Sequence, residues 1–387
     1  MHRIPAGRYR HTELPHGALE STRAAASPAD AAAEPVAKPA VLLHHGITLS
    51  SASFAVLNAN ESLAYVLADA GFDVWMANSR GNTFSWQHED GAQAMRDPRY
   101  WRVSMDEIAL SDLPAQLDRV LSTSRTRRAA FVGHSQGSAL LMALLSERPE
   151  YNDRVSVAAQ LGPVTFVKEM AAPFLVGGVT NKVDQILKRL AWVDPMPTRA
   201  TAPVLAGACR RWPTGGSCAK GMAYSFYGPS VHMTPDDYVE IGSVWPAGVA
   251  SRNLEHWAQM MRREGEPRLT KYDFGNNCTQ REAALEGVAH PFYESCNAAE
   301  YGAQHADAPP EYDLSKVTAP LALFEGGLDV LATAADVGRL KKALRPGVVV
   351  YEQLYPTYNH VDFVFARNAL HKGDLAEVLM RYAPRSF

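Results

Sequence analysis

The chain lacks any run of about 18 apolar residues, the length that a membrane-spanning helix needs, so no transmembrane helix is read from it. Its start, Met1-His2-Arg3-Ile4-Pro5-Ala6-Gly7-Arg8, lacks the apolar core of a secretion signal. As written, it carries no secretion address. An excess of either charge is missing too: 38 Lys and Arg against 41 Asp and Glu leave a net −3. That balance gives no reason to expect nucleic acid or an anionic membrane surface as a partner. Internal repeats are absent. So is any Cys-x-x-Cys pair among Cys209, Cys218, Cys278 and Cys296, and no metal site is expected from them. An even cysteine count at loop-like positions suits two disulfides, with free thiols in a reducing compartment as the alternative.

What is present is a globular composition. Hydrophobic residues make up 47% and charged residues 20% of 387. Length alone suggests about two to three domains, although α/β folds run long as one. Residues 20–40 are rich in Ala, Pro and Ser and read as a mobile connector. After it come short apolar strands separated by helical stretches. Val41–Leu43 runs into His44-His45-Gly46. Asn60 to Ala70 reads as a helix stopped by Gly71, and Asp73 to Ala77 as a strand. Ser104 to Leu121 reads as a helix opened by a capping box, Ser104 with Glu107, and bent by Pro114. Arg128 to Gly133 and Val155 to Leu161 are the next strands. Such alternation predicts an α/β fold, a mostly parallel sheet covered by helices on both faces.

The rhythm stops near Gly162 and returns at Leu321–Phe324, then at Val348–Leu354, with a last helix near Leu370–Tyr382. The expected organisation is an N-terminal segment and linker (1–40), a core (41–162 and 317–387) and an inserted helical cap (163–316). Val164–Val176 and Val183–Trp192 are its apolar helix-like pieces.

Gly133-His134-Ser135-Gln136-Gly137 follows the apolar run Ala129–Val132 and opens into Ser138–Glu147. A lone Gly-x-Ser-x-Gly is a modest signal. Between a strand and a helix it is a nucleophile elbow, a turn so tight that its serine is strained and the residues two before and two after it must lack side chains. A serine hydroxyl attacks only when a base takes its proton, and the base needs an acid to hold its tautomer. The order expected for this fold is Ser, acid, His at later strand ends. Asp329 follows the strand Leu321–Phe324, and His360 follows Val348–Leu354. Glu325 is the rival acid, but it lies inside the strand end. Asp329 could also cap the helix Thr333–Leu344, and His360 could be a plain loop residue. His256, His290 and His305 do not follow strands in this register. The two oxyanion donors are expected from the backbone N–H groups of Gln136 and Ile47.

The chain resembles the acid lipases, the α/β-hydrolase family of lysosomal acid lipase and gastric lipase. The resemblance rests on His45-Gly46-Ile47, Glu61 to Trp75, Asn78-Ser79-Arg80-Gly81-Asn82-Thr83, the elbow, Tyr272-Asp273-Phe274-Gly275, Gly326-Gly327-Leu328-Asp329 and Tyr358-Asn359-His360, and spans roughly residues 3–385. It implies a cofactor-free esterase acting on neutral lipid esters, such as triacylglycerols and sterol esters, at a lipid–water interface. Ser135 would be the nucleophile, Asp329 the acid and His360 the base, with a cap and lid above them. An acyltransferase or a small-ester esterase could use the same triad. A non-catalytic lipid-binding protein is the reading from another class, and the intact triad argues against it. Cys209 and Cys218 match a pair bridged in mammalian members, and Cys278 and Cys296 are the remaining pair.

The family usually carries a signal peptide and a strand pair ahead of the position of Met1, so the expectation is a secreted or lysosome-like enzyme in a shortened or incomplete form. Asn60-Glu61-Ser62 and Asn277-Cys278-Thr279 are glycosylation sequons in that setting. Asn60 reads equally well as a helix cap. The run Phe166–Leu175 is read either as the lid or as a buried helix of the cap.

Overall fold

The computed structural model describes residues 1–7, 38–85, 87, 98–190, 194, 215–279, 295–367 and 369–384. Most of the expected connector, Cys209 and the side chain of Cys218 lie outside the described residues.

Among the described residues, seven strands form one sheet: β1 (His2–Ile4), β2 (Ala40–His44), β3 (Asp73–Met76), β4 (Ala129–His134), β5 (Val155–Leu161), β6 (Leu321–Gly326) and β7 (Val349–Tyr355). Their order is β1-β3-β2-β4-β5-β6-β7. Only β1 is antiparallel, pairing Arg3 with Trp75; the other pairs are parallel. Parallel strands are buried on both faces, which is why β2, β4 and β5 are near-continuous apolar runs. Their alternate residues feed two cores. Leu42, Phe131 and Leu323 pack on one face under the helices Leu113–Ser124 and Gln136–Glu147. Leu43, Val132 and Phe324 pack on the other, under Leu63–Asp69 and His371–Arg381.

His2–Ile4, expected in a segment outside the core, instead joins the sheet as its edge strand β1, because its backbone pairs with Val74–Met76. Three helical stretches also depart from the sequence-based expectation. The first helix begins at Leu63 with Ser62 at its cap, not at Asn60, which is exposed in the preceding turn. Ser104 and Glu107 do form a capping box, with the Ser104 N–H donating to Glu107 at 2.7 Å. The chain does not simply bend at Pro114, however. It widens into a π turn at Ile108–Asp112 and resumes as α-helix at Leu113, with Pro114 in the first turn. Proline has no N–H to give and clashes with the carbonyl four residues back, and the wider turn relieves both. The third is the run Phe166–Leu175, which is not one element. Phe166 and Val167 are buried against the core, and a helix starts only at Pro173, with Phe174 half-exposed.

Between β5 and β6 no described residue joins the sheet. This stretch holds the helices Pro173–Thr180, Val183–Arg189, Gly215–Tyr227, Pro235–Ile241 and Ser251–Arg262. Cys278 and Cys296 are bridged, with Cα atoms 4.7 Å apart. No helix among the described residues is long and apolar enough to cross a membrane.

Candidate active site

The turn from β4 into Gln136–Glu147 leaves no room for side chains. A Cβ on Gly133 would sit 2.8 Å from Gly137, and one on Gly137 would sit 2.5 Å from the His44 carbonyl. Ser135 between them has φ +56° and ψ −121°. A non-glycine residue held at positive φ costs about 1–3 kcal/mol, and such strain clusters at functional sites. The Ser135 N–H donates to Leu161 O at 3.1 Å, which fixes the turn to the end of β5. The hydroxyl lies beside Gly46, where a Cβ would come within 3.3 Å of Oγ.

His360 Nδ1 and Asp329 Oδ2 are 2.8 Å apart, both side chains buried. Asp329 Oδ1 accepts the N–H groups of Leu331 and Ala332, each at 2.8 Å. Burial alone would push its carboxyl up, but the His360 imidazole and these two donors bring it below the ordinary aspartate value. An ionised Asp329 accepts, so Nδ1 of His360 carries the proton and Nε2 is the free basic nitrogen. That Nε2 is buried and makes no hydrogen bond among the described residues, so the Ser135–His360 bond is not formed in this conformation. Such bonds are often long before substrate binds. Gly162 leaves room for the pair: a Cβ there would sit 3.0 Å from Asp329 Oδ2 and 3.0 Å from His360 Nδ1.

Glu325 lies within β6 and pairs with Lys341 at 3.3 Å. His256 is buried and bonds Thr270 O at 2.9 Å, and His305 sits in a short turn; His290 lies outside the described residues. Asn277 is exposed beside the bridged Cys278. A cleft of about 590 Å³ lined by Lys188, Glu255, Arg262 and Asp273 includes none of the expected catalytic residues.

The sequence singled out the turn His45-Gly46-Ile47 but gave the His45 side chain no role. Its Nε2 accepts the Ser79 N–H at 3.0 Å, so Nδ1 must carry the proton and donates to Gly46 O at 2.7 Å. That bond locks the Gly46–Ile47 peptide plane, and with it the direction of the Ile47 N–H. Burial drops the His45 pKa to about 4, so the ring stays neutral. Also missed were Asn253 and Trp257 on the helix Ser251–Arg262, which reach the side chain of Gln136 at 3.0 and 2.6 Å. The available signal was their i, i+4 spacing on one helix face.

A doubly covered parallel sheet, with a strained serine after β4, an aspartate after β6 and a histidine after β7, defines an α/β-hydrolase. The family model described as alpha/beta hydrolase fold matches residues 39–181. Lipase member K of Homo sapiens is 31% identical over 86% of this chain and 76% of its own length. Gastric triacylglycerol lipase of Mus musculus is 30% identical over 86% of this chain and 77% of its own. Lysosomal acid lipase/cholesteryl ester hydrolase of Homo sapiens is 29% identical over 86% and 76%. The chain belongs to the acid lipase family of α/β-hydrolases, and it is a carboxylic ester hydrolase.

Proposed function

We propose that the enzyme cleaves neutral lipid esters through an acyl-enzyme on Ser135. His360 Nε2 takes the Oγ proton as Oγ attacks the ester carbonyl carbon. The carbonyl oxygen becomes an oxyanion held by the N–H groups of Ile47 and Gln136. The imidazolium, steadied by ionised Asp329, gives its proton to the departing alkoxide, and the alcohol leaves. Water then repeats the sequence on the acyl carbonyl, releasing the acid and restoring Ser135. The observation that carries this reading is the strained Ser135 beside a buried Asp329–His360 pair 2.8 Å apart.

The substrate class rests on relatives whose names specify triacylglycerol and cholesteryl ester. Residues 163–316 would act as the cap, with the half-exposed Phe174 and Ile186 on its helices as candidates for contact with a lipid surface. The Cys209–Cys218 bridge, glycosylation at Asn60 and Asn277 and a secreted or lysosomal setting belong to the same proposal, supported by relatives whose names are lysosomal and gastric. Turnover of triolein, cholesteryl oleate and short-chain esters by the enzyme and by Ser135→Ala tests it. The expected result is activity on long-chain neutral esters that Ser135→Ala abolishes while still folding. Substantial activity in Ser135→Ala would refute the assignment.

A further inference from the structure

The oxyanion donor expected at Gln136 heads a helix, so its N–H is among those that a helix leaves without an internal acceptor. Its direction depends on how firmly the first turn is held. The Gln136 side chain is buried, and its Oε1 accepts two hydrogen bonds from the helix Ser251–Arg262: Trp257 Nε1 at 2.6 Å and Asn253 Nδ2 at 3.0 Å. An indole N–H can only donate, so the Gln136 atom facing it is the oxygen, and the Asn253 atom on that oxygen is the amide nitrogen.

The anchoring helix is itself tied down. His256 bonds Thr270 O at 2.9 Å, and Glu255 accepts the Tyr272 hydroxyl at 2.6 Å. The Tyr272 N–H in turn donates to Asp106 at 2.7 Å, next to the capping box that starts the core helices. Both donors therefore come from a fixed support and not from a mobile side chain.

We infer that Asn253 and Trp257 are positioning residues of the ester hydrolysis, holding the Gln136 side chain so that its N–H points at the developing oxyanion. The inference rests on the proposed role of Gln136. It gives the segment between β5 and β6 a part in the chemical step as well as in covering the site. A donor left in place but released from its anchor loses part of the effect of outright removal, which is about 10²–10³ in kcat. About tenfold is the expected loss.

The test is a kinetic cycle on the full chain with a water-soluble p-nitrophenyl ester, alongside affinity for an alkyl boronic acid, whose serine adduct places an oxyanion in the same hole. Trp257→Phe keeps an aromatic ring, smaller than the indole, and removes the N–H; Gln136→Met removes the acceptor. Each is expected to lower kcat about tenfold with KM within about twofold, and to weaken the boronic acid in parallel. The double variant is expected to fall no further than either single one. Wild-type kcat in Trp257→Phe, or a loss confined to KM, or additive losses, would overturn the inference. Should Trp257→Phe fail to fold, Gln136→Met still decides: wild-type kcat there overturns it. Failure of the underlying mechanism looks different, with Ser135→Ala retaining turnover and boronic acid binding unaffected by loss of the hydroxyl.

Discussion

Adding one methyl group at Gly162 separates the geometry of the site from the stability of the fold. The new Cβ would sit 3.0 Å from both Asp329 Oδ2 and His360 Nδ1 and 3.2 Å from His360 Cε1, whereas ordinary contact begins near 3.4 Å. The pair must therefore retreat by about 0.4 Å. Misplacing a catalytic group by about 1 Å costs about 10² in rate, so a shift of this size should cost roughly five- to tenfold in kcat/KM. Gly162 also has φ +53°, and placing a side chain in that region costs about 1–2 kcal/mol of stability. Gly347 is the control: its φ is +83°, and nothing lies within 4 Å of a Cβ there. Gly162→Ala should lose both stability and activity, and Gly347→Ala only stability. Thermal melts and kcat/KM on a soluble ester, measured on both variants, read the two effects apart. Full activity in Gly162→Ala, or equal activity losses in the two variants, would exclude this spacing role for Gly162.

Asp329→Asn should keep the fold but lower kcat by about 10³–10⁴, because the amide leaves His360 in the wrong tautomer; stopped-time ester assays check it. The Cys278–Cys296 bridge spans 18 residues, so Cys278→Ser with Cys296→Ser should cost about 3 kcal/mol in a denaturant titration on the chain-entropy account; no change in midpoint would contradict it. His371 is buried, bonds Phe363 O at 2.8 Å, and has its pKa driven down to about 3, by burial first and by the neighbouring Lys372 second. The unfolded imidazole protonates near about 6.5 while the folded one does not, so stability present above that pH is lost as the pH falls toward about 3. Denaturant titrations at pH 7 and pH 5 should show the wild type losing about 2 kcal/mol more over this interval than His371→Gln. An equal loss in both proteins would exclude His371 as a source of acid sensitivity.

The strands were legible because a parallel sheet buries both faces, which leaves short uninterrupted apolar runs such as Val155–Leu161 with turn residues at their ends. The elbow was legible because only glycine fits at Gly133 and Gly137. Asp329 and His360 could be picked out because each sits just past a strand end, although no sequence rule states that they meet at 2.8 Å. Other features were hidden for physical reasons. The π turn before Pro114 answers a local clash that periodicity does not register. Phe166 and Phe174 look alike in sequence, yet one is buried in the core and the other half-exposed, because the chain between them is not helical. The Gln136–Trp257 bond joins residues 121 positions apart, and nothing local announces it.

The most direct measurement is to inactivate the enzyme with a fluorophosphonate and map the adduct by mass spectrometry. A single modification on Ser135 is expected, with inactivation in step with its occupancy and no labelling of Ser135→Ala. An adduct on another serine, or full inactivation with Ser135 unmodified, would contradict it.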